Sequence, residues 1–335
     1  MKIVDHDVNK KVFVIAEIGN NHEGDFELAK KMVHLAADAK ADAVKFQTIV
    51  PEKLVSQQQS ERVAQLKRFQ FSYDQFTELA KVAEECGLMF LSTPFDLESV
   101  AHLQSLVPAY KISSGDNNFF PLLQVVAHTG KPLIISTGLT TLEDIARLVS
   151  FVKNIWKNKG ITQEMALLHC VVNYPTSLEE ANLQVIEDLK EFDVVPGYSD
   201  HTLGIEAVKA AVAMGARVIE KHFTISKTHS DFRDHQLSAD PEEFTELVKA
   251  IRTIEKMKGQ GRVNLPDNEK DILPLVRRSI VAKECLGSGH VLRLEDLYWV
   301  RPGQGLSPGY EKELLGKTLV RAVAAGEMIL LEDVK

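Results

Sequence analysis

Strand-length apolar runs alternate with longer stretches over residues 12–224, and each run ends in a polar cluster. An apolar run of about four to eight residues, rich in β-branched side chains, is typical of a strand buried on both faces. Eight such strands alternating with helices predict an α/β fold, a closed (β/α)8 TIM barrel. The runs are VFVIAEIGNNHEG (12–24), DAVKFQT (42–48), LMFLSTPFD (88–96), PAYKISSGD (108–116), PLIISTG (132–138), ALLHCVVNYPT (166–176), VVPGYSDHT (194–202) and RVIEKHFT (217–224).

Helical periodicity fills the stretches between these runs. Residues 26–41 place Leu28, Met32 and Leu35 on one face, as an amphipathic helix does. Thr141, three residues before Asp144, predicts a helix start with a capping box. The Gln- and charge-rich segment 49–70 is too long for a tight loop and predicts a helical excursion over the barrel mouth. Helices are also predicted at 73–86, 141–156 and 205–215.

The composition changes after about residue 257. Residues 258–275 carry Gly, Pro, Asn and Asp without clear periodicity, which predicts a linker. From 276 to 335 the pattern becomes short β-like pieces. The sequence therefore predicts a barrel domain at 1–257, a linker at 258–275 and a small β-rich domain at 276–335. A domain of about 60 residues is near the size at which a core alone is marginal, so we expect it to lean on another surface.

Charge and composition exclude several classes of protein. A net charge of −8 argues against nucleic-acid binding and, more mildly, against anionic membrane surfaces, although a local cationic cluster can still bind an anionic substrate. No stretch approaches the roughly 20 apolar residues of a membrane span. The three cysteines are far apart and form no CxxC pair, as expected for free thiols in a reducing compartment. A cytoplasmic protein is predicted.

The ends of the predicted strands carry the candidate chemistry, because TIM-barrel active sites lie at the C-terminal ends of the strands. His201 and His222 end the last two runs and could converge on one divalent metal ion. The alternative is that each imidazole only forms hydrogen bonds within the rim. Glu17, across the mouth, could contribute a carboxylate or act as a base.

Lysines and hydroxyls form a second group of candidates at the strand ends. A lysine here can serve as a Schiff-base nucleophile or as a phosphate partner. Two cations accompanied by several hydroxyls favour a phosphate or carboxylate cradle. Lys221 is expected to point outward, because side chains alternate along a strand. Tyr174 and Asp234 could face a polyhydroxy substrate or simply pack within loops. The cradle candidates are Lys45, Lys111, Ser113, Ser114, Ser136, Thr137 and Ser199.

These motifs, in this order, resemble those of the sialic acid synthase (N-acetylneuraminate synthase) family across nearly the whole chain. The resemblance rests on IAEIGNNHEG, VKFQT, LSTPFD, YKISSGD, IISTG, LLHC with YPT, YSDHT, EKHFT and the tail motif RPGQGL. It implies a TIM barrel followed by an antifreeze-like (SAF) domain. It also implies a metal-dependent transferase that joins phosphoenolpyruvate to an N-acetylmannosamine-type sugar. C–O cleavage then gives phosphate and a nine-carbon 2-keto sugar acid, N-acetylneuraminate or a close relative.

The resemblance also implies a role for individual residues. Glu17, His201 and His222 would be catalytic, with the two histidines holding a divalent metal, Mn²⁺ or alternatively Mg²⁺ or Co²⁺. Arg301 would reach into the barrel of a second copy in a domain-swapped homodimer. Phosphoenolpyruvate would be bound by Lys45, Thr93, Lys111, Ser114, Ser136 and Ser199, and the sugar by Gln47, Asp116, Tyr174, Asp234 and Arg301.

Two departures from the family pattern bear on the substrates. Val172 stands where relatives often have a polar residue, and the neighbouring Asn173 could replace the lost contact or point elsewhere. Arg233 precedes Asp234 where a Gly-Pro pair is common, which leaves the sugar open. Three alternatives remain: a legionaminic-type synthase using a 2,4-diacetamido-6-deoxy sugar, a Schiff-base aldolase using Lys45 or Lys111, and a non-catalytic sugar-acid-binding barrel.

Overall fold

The computed structural model describes residues 1–259 and 265–335. Its chain begins with a short antiparallel hairpin, β1 (Lys2–Ile3) and β2 (His6–Asp7). Eight parallel strands follow in one sheet, as the apolar runs predict. They are β3 (Phe13–Gly19), β4 (Ala43–Thr48), β5 (Met89–Pro94), β6 (Tyr110–Ile112), β7 (Leu133–Ser136), β8 (Met165–Cys170), β9 (Val195–Asp200) and β10 (Val218–His222).

The sheet curls into a barrel. Hydrogen-bonded neighbours follow the order β5-β4-β3-β10-β9-β8-β7-β6, so β3 pairs with β10, the first with the last of these strands. The two end strands, β5 and β6, approach each other within 8 Å between Cα atoms. Parallel strands of this kind need helices on their outer face, which matches their buried, near-continuous apolar runs. The predicted α/β class and TIM-barrel architecture are confirmed.

Side-chain alternation divides the apolar residues of the strands into two layers. Residues of one parity, such as Phe13 and Ile15 on β3, form an interior cluster together with Ala43, Leu91 and Ile134. Residues of the other parity pack against the surrounding helices in a larger cluster. Met1, Ile3 and Val8 belong to the interior cluster, so the N-terminal hairpin closes the end of the barrel at which the strands begin. The opposite end is left for polar side chains.

The helices lie where the periodicity predicts them. Thr141 accepts a hydrogen bond from the Asp144 backbone and Asp144 accepts one from the Thr141 backbone, which confirms the capping box. Segment 49–70 contains two helices, as expected of a helical excursion. In order, the helices are α1 (Phe26–Asp38), α2 (Pro51–Leu54), α3 (Ser60–Lys67), α4 (Tyr73–Glu85), α5 (Leu97–Leu103), α6 (Phe120–His128), α7 (Leu142–Lys159), α8 (Val185–Asp188), α9 (Glu206–Met214), α10 (Arg233–Leu237) and α11 (Pro241–Lys258).

The chain divides into two compact units, Met1–Gly259 and Gln260–Lys335. Part of the predicted linker, residues 260–264, lies outside the described residues. The rest of that segment contains α12 (Asp267–Lys270) and the start of α13 (Leu273–Val276). The sequence-based boundaries at 257 and 276 stay a prediction.

The second unit has a small antiparallel sheet, β11 (Ser279–Ala282) paired with β12 (Leu297–Val300). Isolated bridges such as Leu286 to Val323 extend the β-like pairing predicted from its sequence. Its own apolar core is formed by Ile280, Ala282, Leu286, Leu292, Leu297, Leu314, Leu319, Val323 and Ile329.

Candidate active site

The side chains that point into the barrel are apolar near the start of the strands and polar at the mouth, where the strands end. On β3 the interior residues Phe13 and Ile15 are followed by Glu17. Ala109, just before β6, is likewise interior and is followed on the same face by Lys111. The mouth encloses a cavity of about 120 Å³ at these strand ends. The cavity is lined by Glu17, Lys45, Gln47, Thr93, Phe95, Lys111, Ser113, Ser114, Gly115, Ser136, Cys170, Val172, Tyr174, Ser199, His201, Glu220 and His222.

Lys45 lies at the centre of one buried ion cluster. Its ammonium nitrogen is 2.9 Å from Glu17 Oε2 and 3.5 Å from Glu220 Oε2. It also donates to the Thr93 hydroxyl at 3.3 Å. Glu17 Oε1 accepts a hydrogen bond from the Gln47 amide at 3.1 Å. The Lys45 side chain is only 4% exposed, so its charge is compensated by protein groups rather than by water.

Lys111 occupies the neighbouring part of the mouth. Its Nζ donates to Ser136 Oγ at 2.7 Å and to the Ile112 carbonyl at 3.0 Å, and lies 3.6 Å from Glu220 Oε1. That same carboxylate oxygen accepts a 2.8 Å hydrogen bond from Ser199 Oγ. Glu220 therefore connects both lysines and one hydroxyl. The arrangement concentrates two cations and several hydroxyl donors around one small space, as an anion cradle requires.

The carboxyl groups of the mouth have opposite pKa shifts. Burial raises the pKa of Glu17, and the nearby Glu220 carboxylate raises it further against the attraction of Lys45. Burial acts the same way on Glu220, but Lys111 and Lys45 hold its pKa at about 2. Burial lowers the pKa of Lys111, whereas in Lys45 the two carboxylates outweigh burial and raise the pKa. Glu220 is thus an ionised partner, and Glu17 is the group on which a proton can be exchanged.

His201 and His222 lie side by side on the same rim, with ring centroids 5.4 Å apart. His201 Nδ1 is 3.0 Å from the Val171 carbonyl, which can only accept, so the imidazole donates there and Nε2 keeps a lone pair. Buried His222 Nδ1 has no hydrogen-bond partner among residues 1–259 and 265–335. Burial lowers the pKa of both histidines to about 4. Neutral imidazoles with available lone pairs fit a divalent metal ion.

We call the cavity at the strand ends the inner cavity. A second cavity of about 520 Å³, the outer cavity, adjoins it, because Gln47 lines both. Asp234 and Arg233 border this second cavity. The Arg233 guanidinium lies 5.1 Å from the Tyr174 ring centroid and 3.4 Å from Asp234 Oδ1. Asn20 donates to Gln47 Oε1 at 3.0 Å, which orients the shared amide. A substrate larger than the inner cavity therefore has room to extend past Gln47.

Most of the predicted site residues line the inner cavity, and four do not. Thr137 instead donates its hydroxyl to the Leu168 carbonyl at 3.1 Å. Asp116 is half-buried and accepts from Ser113 Oγ at 2.9 Å, one residue removed from the cavity wall. Asp234 borders the outer cavity instead. Arg301 is an exposed residue of the second unit. The predicted residues that do line the inner cavity are Glu17, Lys45, Gln47, Thr93, Lys111, Ser113, Ser114, Ser136, Tyr174, Ser199, His201 and His222.

Sequence reasoning missed Glu220, which contacts both lysines. The signal was present in the RVIEKHFT run, because Glu220 and His222 share one strand face and Lys221 takes the other. Lys221 does leave the barrel interior, as predicted, but it is buried and ion-paired, with Nζ 2.6 Å from Asp200 Oδ2. Cys170, a free thiol as the sequence predicts, also lines the cavity. Asn173 donates to Glu180 Oε2, while Val172 lines the cavity.

Fold and site together define a class: a TIM-barrel enzyme with two buried lysines and several hydroxyls at its mouth, followed along the chain by a small β-rich domain. The NeuB family profile matches residues 32–263 and the SAF domain profile matches residues 277–335. The chain belongs to the NeuB family and carries a SAF domain. The resemblance to sialic acid synthases, and the expectation of an enzyme of that type, are confirmed.

Named relatives cover almost the whole chain. It is 40% identical to N,N'-diacetyllegionaminic acid synthase of Legionella pneumophila, over 96% of this chain and 94% of that one. It is 34% identical to human N-acetylneuraminate-9-phosphate synthase, over 96% and 92%. Among solved structures, it resembles the N-acetylneuraminic acid (sialic acid) synthetase of Leptospira borgpetersenii with 35% identity and a TM-score of 0.76, covering 81% of this chain and 94% of that one. Among the described residues, no helix combines the length and apolarity that crossing a bilayer requires.

Proposed function

We propose that this protein condenses phosphoenolpyruvate with an N-acetylmannosamine-type sugar, releasing phosphate and forming a nine-carbon 2-keto sugar acid. The observation that carries the proposal is the inner cavity, where Lys45 and Lys111 meet several hydroxyls beside the histidine pair. Phosphoenolpyruvate is small and strongly anionic, and it requires compensating cations within hydrogen-bonding distance. The outer cavity beyond Gln47 supplies room for the sugar.

The cations of the inner cavity support this assignment. Lys45 and Lys111 both line it, so two ammonium groups are available to an anionic substrate. The hydroxyls of Thr93, Ser136 and Ser199 already contact Lys45, Lys111 and Glu220, and can turn toward phosphate oxygens. The site is therefore organised before the substrate binds.

Bond formation joins C3 of phosphoenolpyruvate to the aldehyde carbon of the open-chain sugar and leaves cationic character at C2. The π bond of the aldehyde breaks, and its oxygen takes up a proton to become a hydroxyl, which balances the proton released in the next step. Water adds at C2, loses a proton, and the resulting hemiketal phosphate collapses with C–O cleavage to the 2-keto acid and phosphate. We assign the proton transfer at that water to Glu17, because its carboxyl lies in the cavity and its raised pKa suits proton exchange. The Gln47 amide and Lys45 hold the Glu17 carboxyl in place.

We assign a divalent metal, Mn²⁺ in the first place with Mg²⁺ or Co²⁺ as alternatives, to His201 and His222. The unpartnered His222 Nδ1 and the lone pair of His201 support this assignment. A bound ion would polarise the aldehyde oxygen of the sugar. Val171 fixes the His201 ring through its carbonyl, and Tyr174 lies against that ring with centroids 4.2 Å apart.

A phosphate-release assay tests the proposal directly. Purified protein is incubated with phosphoenolpyruvate and a panel of mannosamine-type sugars, with EDTA or with added Mn²⁺. We expect phosphate release only with a sugar and a metal present, and its loss in Glu17→Gln with little change in substrate binding. Near-wild-type turnover of Glu17→Gln would remove Glu17 from the mechanism. Metal-independent borohydride trapping of pyruvate would instead support the Schiff-base aldolase.

A 2,4-diacetamido-6-deoxy sugar is a second candidate acceptor. The observation that favours it is the higher identity to the legionaminic acid synthase, 40%, than to the human 9-phosphate synthase, 34%. Arg233, which borders the outer cavity, is the residue through which the acceptor could differ. The same assay decides between the two acceptors, because the preferred sugar has the higher kcat/KM.

We further propose a domain-swapped homodimer in the cytoplasm, in which Arg301 completes the sugar site of a second copy. Its support is the exposed position of Arg301 in a unit separate from the barrel. Mixing inactive Glu17→Gln and Arg301→Ala proteins under subunit exchange tests it. In a swapped heterodimer one site receives neither defect, so activity returns. If each copy completes its own site, every site keeps a defect and the mixture stays inactive.

A further inference from the structure

A cluster of metal-ligating side chains lies outside the inner cavity. Glu23, His229 and His235 each offer one ligand atom, and these atoms all lie within 4.8 Å of one another. Glu23 follows β3, whereas His229 and His235 follow β10, so two separate segments meet here. None of the three lines the cavity that holds Lys45, Lys111 and the His201–His222 pair.

Two members of the cluster lie close to the spacing of two ligands on one ion. His235 Nε2 is 3.0 Å from Glu23 Oε1. Two donors each about 2.1 Å from a tetrahedral zinc ion lie about 3.4 Å apart, so this pair has to separate by only about 0.4 Å to bind one. The His235 side chain is 0% exposed, and its Nδ1 is 2.6 Å from the Thr224 hydroxyl. Histidines that bind metals usually hold one ring nitrogen in a hydrogen bond while the other nitrogen faces the ion.

The third ligand is accessible to solvent. His229 is exposed, and its ring centroid is 5.2 Å from that of His235. Residues of the same loop, including His229 and Ser230, border an open cavity of about 730 Å³. The Ser230 hydroxyl donates to Glu23 Oε1 at 2.5 Å and orients the carboxylate. An ion can therefore enter from solvent, and water can complete its coordination.

We propose that Glu23, His229 and His235 bind a divalent transition-metal ion, Zn²⁺ or an ion of similar preference, separate from the metal of the reaction. Two imidazoles and one carboxylate form a ligand set that binds zinc while leaving a position for water. The ion ties the loop after β3 to the segment between β10 and α11. That segment carries Asp234, directly before His235, so the ion stabilises the border of the outer cavity. Without an ion, the same side chains form only a hydrogen-bonded network.

Metal stoichiometry of the full-length protein tests the site. Metal-free protein is dialysed against buffered Zn²⁺, and bound zinc is measured by mass spectrometry of the metal content. We expect His229→Ala to hold one equivalent fewer than wild type. His229 is exposed, so this change leaves the fold intact, which circular dichroism checks. His128→Ala, an exposed histidine on α6, is the matched control and keeps the wild-type stoichiometry.

A second comparison separates this site from the reaction's metal. The double variant His201→Ala/His222→Ala is expected to keep one equivalent, which is lost when His229→Ala is added. Zinc that persists in His229→Ala at the wild-type amount, or that vanishes entirely in the double variant, overturns the proposal. Glu23→Gln supplies an independent check, since it keeps a hydrogen-bonding side chain but weakens zinc binding at least tenfold by equilibrium dialysis. If the wild-type protein shows no synthase activity but His229→Ala still binds one zinc equivalent fewer, the result supports this site and refutes the proposed function.

Discussion

The inner and outer cavities of the barrel mouth are built in different ways. The inner cavity is lined mainly by strand residues whose side chains are buried and joined to each other, as Lys45, Lys111 and Glu220 are. The outer cavity is bordered by α3 and by the segment around α10, where Arg233 is 67% exposed. Strand positions are fixed by the barrel's hydrogen bonds, whereas loop positions tolerate sequence change. The chemistry can thus stay constant while the acceptor varies.

The largest effect is expected from breaking the inner cavity at Lys111. Lys111→Met keeps the length of the side chain but removes the cation that contacts Ser136 and Glu220. Removing one partner of a buried, hydrogen-bonded charge pair costs about 3 kcal/mol or more. That free energy corresponds to a change of about 100-fold or more in kcat/KM. We expect kcat/KM for phosphoenolpyruvate to fall by at least that factor in a phosphate-release assay.

Lys81→Met is the control for Lys111→Met, because Lys81 is a surface lysine of α4 whose side chain is 75% exposed. Its kcat/KM is expected to equal that of wild type. A Lys111→Met enzyme with wild-type kcat/KM and a normal circular dichroism spectrum would show that Lys111 is a structural cation and that the cradle lies elsewhere.

The difference between strand and loop residues also explains which parts of the site could be predicted from the sequence. Alternation along β4, β6 and β9 places Lys45, Lys111 and Ser199 inside the barrel once the strands are identified, so the inner cavity followed from local pattern. Glu220 obeys the same rule, because it lies two residues before His222 on β10 and shares its interior face. The outer cavity is different. Arg233 and Asp234 reach the side chain of the strand residue Gln47 through loop geometry and long-range packing, which no periodicity encodes.

An intermediate effect is expected at the outer cavity. Arg233→Ala removes a guanidinium that lies over the Tyr174 ring and beside Asp234. Partly exposed cation–π and ion-pair contacts are worth about 1 kcal/mol, so we expect KM for the sugar to rise about fivefold. KM for phosphoenolpyruvate is expected to stay unchanged, because Arg233 does not line the inner cavity. Initial rates measured with each substrate varied in turn give both constants.

Arg147→Ala is a matched control for Arg233→Ala. The Arg147 guanidinium lies 4.7 Å from the Phe120 ring centroid, so it makes the same kind of contact away from both cavities. We expect both KM values to match wild type. A rise in the phosphoenolpyruvate KM of Arg233→Ala, without a rise for the sugar, would contradict the division between the two cavities.

The smallest effect is expected at Val172 and Asn173, where the two adjacent residues face different surroundings. Val172 lines the inner cavity although it is 38% exposed, while the Asn173 amide donates to Glu180 Oε2 at 3.2 Å. Val172→Asn changes the volume little and places an amide at the cavity wall. One added hydrogen bond in a partly exposed position contributes about 0.5–1 kcal/mol. KM for phosphoenolpyruvate should therefore fall roughly two- to fivefold, the factor to which that free energy corresponds.

Asn173→Ala is the contrasting variant, because it removes only an exposed contact. Steady-state kinetics should show the same KM for phosphoenolpyruvate as in wild type. The opposite ranking, with Asn173→Ala the more damaging change, would mean that Asn173 turns into the cavity when substrate binds.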